Sequence, residues 1–151
     1  MKPNWFVAFP VPAQTWLPSV LATLPDQCKG FEISDIHMTL AFLGAMDPGR
    51  VEDVKTVMKS IEGQTFQVQL GPLLALPSPN RVSALSFSLF QGREVACGFI
   101  SEYRAALINA ACGKPDHRPP LAHVTIARPI RKYGFEGRRI AIDWAAKTIP
   151  T

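Results

Sequence analysis

"HMTLAFLG" at residues 37–44 and "HVTIARPI" at residues 123–130 share His, Thr and Ala at their first, third and fifth positions, with apolar residues between them. The chain has three histidines in 151 residues, and two of them head these repeats. The alternation predicts two β-strands, in which residues two apart share a face. On the first strand His37, Thr39 and Ala41 face one way, while Met38, Leu40 and Phe42 turn to apolar packing. On the second, His123, Thr125 and Ala127 match them, backed by Val124 and Ile126, and strict alternation turns Arg128 away from the His123 face. Each strand offers an imidazole beside a hydroxyl, and the small Ala leaves room for a ligand.

The surrounding chain alternates strands and helices. "WFVAFPV" is a strand candidate rich in aromatic and β-branched residues. Trp16, Leu17, Val20, Leu21 and Leu24 fall on one helical face, with Pro18 tolerated in a first turn and Pro25 and Lys29-Gly30 closing the helix. Asp47 followed by Pro48 is a helix start, after which Val51, Val54, Met58 and Ile61 line one side. "QTFQVQLGPLLAL" and "RVSALSFSLF" predict an antiparallel pair joined by "PSPN". A helix from Gln91 follows, with Ala96, Phe99, Ile100, Tyr103 and Leu107 on its apolar face and Gly113 as its cap. "RRIAIDWA" reads as a last strand. The order implies an α+β fold, with helices covering one side of largely antiparallel sheets.

Composition bounds the function classes. At 47% hydrophobic and 19% charged, the 151 residues have the makeup of one globular domain over residues 1–151. Pro10 and Pro12 interrupt the apolar start, so it reads as a strand and not a signal peptide. No apolar run is long enough to span a bilayer. Cys28, Cys97 and Cys112 show no zinc-like spacing and suit a reducing cytoplasm as ordinary thiols. Charge is uneven: eight Lys/Arg stand against nine Asp/Glu up to Cys112, and eight against three from Gly113 onward. That basic third carries the second repeat and favours an anionic ligand such as a phosphate or nucleic acid.

A neutral imidazole takes a proton and an imidazolium gives one, with an ordinary pKa of about 6.5. Two imidazoles facing a ligand divide the roles of general base and general acid. Threonine hydroxyls hydrogen-bond to non-bridging oxygens as charge reorganises. Phosphodiester chemistry fits this set with no metal and no cofactor. Either His-x-Thr alone is what any half-exposed strand offers, so the pairing carries the signal.

These motifs, "HMTLAFLG" and "RPPLAHVTIAR", together with the opening "WFVAFPVP" and the "LPSPNRVSALSFSL" hairpin, resemble the 2H phosphoesterase family over about residues 4 to 131. Within it, the chain most resembles the RNA 2′,3′-cyclic phosphodiesterase branch, also called 2′-5′ RNA ligases. The resemblance implies a bilobal fold of two pseudo-symmetric α+β halves, each contributing one His-x-Thr strand to a central cleft. It implies metal-independent opening of a 2′,3′-cyclic phosphate on RNA or a nucleotide to a 2′-phosphate. His37 would be the acid that protonates the departing 3′ oxygen and His123 the base that activates water, with Thr39 and Thr125 holding phosphate oxygens. In the ligating direction the acid and base exchange.

Arg128 matches the arginine that often follows the second motif in this branch, and is a candidate for either phosphate contact or a structural ion pair. Arg118 and Phe9 are further candidates for substrate contact, the first with a phosphate and the second by stacking a base. His117 reads as a surface histidine, and Phe31 and Trp144 as packing residues that also suit stacking. The stretch "FEISDIH" is shorter than usual for the branch, with Phe31 where Trp is common, and the chain stops soon after "IAIDWAAK". Both changes bear on substrate preference more than on the cleft. Two other functions fit the residues: the same chemistry on a small cyclic nucleotide or 2′-5′ linked substrate, and a nucleotide- or RNA-binding module without turnover. A monomer is the default.

Overall fold

The computed structural model describes residues 2–61, 63 and 65–150. Its elements are β1 (Trp5–Pro10), α1 (Leu17–Leu21), β2 (Cys28–Gly30), β3 (His37–Gly44), α2 (Val51–Lys59), β4 (Gln69–Leu76), β5 (Ala84–Gln91), α3 (Arg93–Ala110), β6 (His123–Pro129) and α4 (Gly134–Lys147). The fold is α+β, with antiparallel pairing between β2 and β6, β3 and β6, β4 and β5, and β5 and β6. The chain divides into two compact units, each made of three separate segments.

One unit takes the chain up to Phe9, then Thr39–Gln67 and Gly92–Ala122. Here β1 lies beside β3, and Val7, Leu40, Ala41 and Leu43 are buried. The Asp47 side chain accepts the Gly49 N–H at 2.9 Å and starts the turn that leads into α2. This capping is what Asp47-Pro48 predicts. α2 buries Val54 and packs against α3, whose Ala96, Ile100, Leu107 and Ile108 repeat at helical spacing toward the core.

The end of α3 differs from expectation by one residue. The Gly113 N–H bonds the Ile108 carbonyl at 2.9 Å and the Cys112 N–H bonds the Asn109 carbonyl at 3.0 Å, a Schellman arrangement. The left-handed residue in it is Cys112, at φ 55°, and not Gly113. Gly113 is instead the position of close approach. A Cβ there would lie 3.2 Å from the Leu43 carbonyl oxygen of β3.

The other unit takes Pro10–Met38, Val68–Gln91 and the chain from His123 onward. Its strands run β4, β5, β6, with β2 and the start of β3 on the far side of β6. β5 buries Leu85, Phe87 and Leu89 at the alternate positions its sequence predicts, and buries Ser86 between the first two as well. Phe87 meets Trp16 edge to face at 5.9 Å. β4 is a strand only from Gln69, later than the expected start, of which Gln64 lies outside the described residues. β2 has no counterpart in the sequence reading, because three residues carry no period to read.

"RRIAIDWA" is helical, contrary to the strand expected from its Ile-Ala-Ile alternation. The residues it buries are Gly137, Ala141, Trp144 and Ala145, four, seven and eight apart from the first, which is helical and not strand spacing. α4 packs on β4 and β6, and Trp144 donates its indole N–H to Thr23 Oγ1 at 3.0 Å.

Candidate functional site

Met38 of β3 pairs with Val124 of β6 in antiparallel register. One step back on β3 and one step forward on β6 therefore sets His37 opposite Thr125, with side chains on the same face. His123 lies two residues away on β6 and shares that face. The two histidines are thus diagonal neighbours, at about 7–8 Å in ordinary sheet geometry. A tetrahedral phosphate is of the right size to bridge them.

The His37 ring is oriented by its own chain. Its Nδ1 lies 2.7 Å from the Asp35 carbonyl oxygen. A carbonyl only accepts, so Nδ1 carries the hydrogen and Nε2 is the nitrogen that takes or gives a proton. The Glu32–Ile36 turn that presents Asp35 is closed by its own backbone bonds, Asp35 N–H to Glu32 and Ile36 N–H to Ile33. Thr39 follows on β3, half-buried like His37.

β5 adds a residue that sequence reasoning missed. Ser86 pairs with Thr125 and Ser88 with His123, so both serines share the histidine face. Ser86 is fully buried, and its Oγ is 2.8 Å from Thr125 Oγ1. It fixes where the Thr125 hydroxyl points. The only trace in the sequence is the Ser-x-Ser alternation of "SALSFSLF", which looks like a solvent face. Ser88 donates to the Pro72 carbonyl at 2.8 Å, beside Gly71, where a Cβ would lie 2.8 Å from that same Ser88 oxygen.

Arg128 is not turned away as strict alternation requires. Between Leu85↔Ala127 and Ser86↔Thr125, β5 advances one residue while β6 advances two. This bulge breaks the period, so Ile126 and Ala127 are both buried and Arg128 emerges on the side of His123 and Thr125. Its guanidinium lies over the Phe31 ring, 5.5 Å from the centroid. β3 has the same six-residue burial sequence, and there the emerging residue is Phe42. The expectation that Phe42 packs inward with Met38 and Leu40 is overturned, for it is 50% exposed.

The other candidates separate. Arg118 bonds Asp116 through Nε at 3.0 Å and Nη2 at 2.8 Å, and its backbone carbonyl accepts from Arg104 at 2.7 Å. Those Arg118 bonds, helped by the charge of Arg104, hold the Asp116 carboxyl well below the usual carboxylate range. His117 is exposed beside them. Phe9 packs edge to face on Phe99 at 6.0 Å, and Phe99 also stacks near Phe66 and Tyr103. Trp144 is buried. Among the described residues no group of three His, Cys, Asp or Glu side chains is placed to hold a metal ion. No helix among them is long and apolar enough to cross a membrane.

No protein-family model matches the chain, and no curated protein matches it. Solved structures do. TT0787 of Thermus thermophilus is 17% identical with a TM-score of 0.67, over 84% of this chain and 74% of that one. E. coli LigT in its apo form is 17% identical with a TM-score of 0.62, over 86% of this chain and 74% of its own. A structure described as a phosphoesterase gives 17% and 0.59, over 83% and 72%. LigT has also been solved in complexes with ATP and with NADP+.

Proposed function

From the 2H phosphoesterase fold that this chain shares, we propose that it is an enzyme acting on phosphodiesters, which opens 2′,3′-cyclic phosphates on RNA or nucleotides to 2′-phosphates. The observation that carries the reading is the shared face of His37, Thr125 and His123 on adjacent strands. The nucleotides bound by LigT support a nucleotide-type ligand.

In the proposed reaction His123 takes a proton from water as the oxygen attacks phosphorus. The bond from phosphorus to the 3′ oxygen breaks, and His37 Nε2 delivers a proton to that oxygen. Water has then been added across one P–O bond, leaving a 3′-hydroxyl and a 2′-phosphate. Thr39 and Thr125 donate to the non-bridging oxygens as negative charge builds, the Thr125 hydroxyl aimed by Ser86. Arg128 adds a fixed cation on the same face.

The test is product analysis by ³¹P NMR on a short RNA ending in a 2′,3′-cyclic phosphate, in excess EDTA. Wild type yields a 2′-phosphate, and His37→Ala and His123→Ala each lose at least ~100-fold in kcat/KM. An untouched RNA, or variants as active as wild type, sinks the reading. The ATP and NADP+ complexes of LigT favour, as a second reading, a binding module for small nucleotides. Measurable nucleotide affinity without turnover of any cyclic phosphate would put it first.

A further inference from the structure

Phe42 presents an apolar ring to solvent, and it does so at the rim of a cavity of about 520 Å³ lined by Phe42, Lys114, Pro115, Asp116, His117 and Arg118. That volume is in the range of small-molecule sites. The 114–118 segment of the lining is held in shape. Arg104 donates to the Arg118 carbonyl at 2.7 Å and lies 3.8 Å from the Asp116 carboxylate, with both ionic side chains largely buried, at 17% and 15% exposure. Asp116 also accepts the Arg118 backbone N–H at 3.1 Å. At the base of the loop, Gly113 sits against the Leu43 carbonyl of β3.

Charge in the cavity is positive. Among the described residues Asp116 is the only acid in its lining, and its carboxylate is already shared between Arg104 and Arg118. Lys114 and the 80% exposed Arg118 side chain remain to face an incoming anion. An exposed aromatic ring with cations beside it is the combination that holds single-stranded nucleic acid, the ring by stacking and the cations at phosphates. None of the described lining residues is His37, Thr39, His123 or Thr125.

We propose that this cavity is a second nucleotide subsite for single-stranded RNA, in which a base stacks on Phe42 while Lys114 and Arg118 hold its phosphate. The subsite rests on the reading of the chain as a cyclic phosphodiesterase, and it makes the substrate an oligonucleotide in preference to a mononucleotide.

The test compares a trinucleotide ending in a 2′,3′-cyclic phosphate with a 2′,3′-cyclic mononucleotide, using wild type, Phe42→Ala, Lys114→Ala and Phe42→Trp. Wild type prefers the trinucleotide. Phe42→Ala and Lys114→Ala each raise its KM by roughly five- to a hundredfold, leave turnover of the mononucleotide unchanged, and Phe42→Trp restores it. Equal loss on both substrates, or no loss on either, overturns the subsite while leaving the catalytic reading standing. If wild type turns over neither substrate, the catalytic reading falls. Fluorescence anisotropy with the labelled trinucleotide then decides the subsite: binding that Phe42→Ala weakens supports it, and no binding, or binding that Phe42→Ala leaves unchanged, overturns it.

Discussion

Ser86 gives the Thr125 hydroxyl one buried neighbour, 2.8 Å away. Removing that oxygen frees Thr125 to rotate without changing its chemistry. Ser86→Ala should lower kcat/KM on a cyclic phosphate by ~10-fold and stability by about 1 kcal/mol, read by initial rates and urea denaturation. Asp116 gives a second prediction at this scale. Its folded pKa is depressed, so its contribution to stability is present above the unfolded value of about 3.9 and is lost as pH falls through the folded one. The gap in urea midpoint between wild type and Asp116→Asn should be constant above about pH 5 and narrow below about pH 4. His37 and His123 were legible because a pair of matched settings is hard to get by accident. Ser86 was not, since a serine in an alternating strand looks the same whether it meets solvent or a buried partner.

Helices and strands test packing that single contacts do not. Gly137 lies in α4, where a Cβ would come within 2.6 Å of Tyr133 Cβ, an atom that cannot swing aside. Gly98 lies in α3 with nothing within 4 Å of the same added atom. The two substitutions to alanine should therefore have opposite signs. Gly98→Ala stabilises by ~0.5–1 kcal/mol, whereas Gly137→Ala destabilises by ~1–3 kcal/mol, as measured by thermal or urea unfolding. Periodicity was enough to read α2, α3 and the strands that alternate cleanly. It failed for α4, because Ala141 and Asp143 between Ile140, Ile142 and Trp144 read as strand alternation over so few residues. It failed again at Arg128, because an extra residue in β6 is a property of pairing with β5 and leaves no mark on either strand taken singly.

At the scale of the whole chain, the three thiols report on burial in different places. Cys28 is 7% exposed, and burial pushes its thiol up, whereas Cys112 is exposed. Iodoacetamide followed by peptide mapping should label Cys112 first and Cys28 last, the latter catching up only in denaturant. The α+β class was readable from the order of elements, but the allocation of segments to units was not, since no linker composition marks where the chain passes from one to the other. Those passages have a consequence for biosynthesis. The chain changes unit after Phe9, Met38, Gln67, Gln91 and Ala122, so neither unit is a continuous stretch. A nascent chain that has not yet emerged past Ala122 lacks β6, the strand against which β2, β3 and β5 all pair. Folding of that unit on the ribosome must therefore wait for the second histidine motif to leave the exit tunnel. Until then, the first motif has β1 on one side and an open edge where β6 belongs, and a stalled chain is a client for chaperones that hold exposed strand edges.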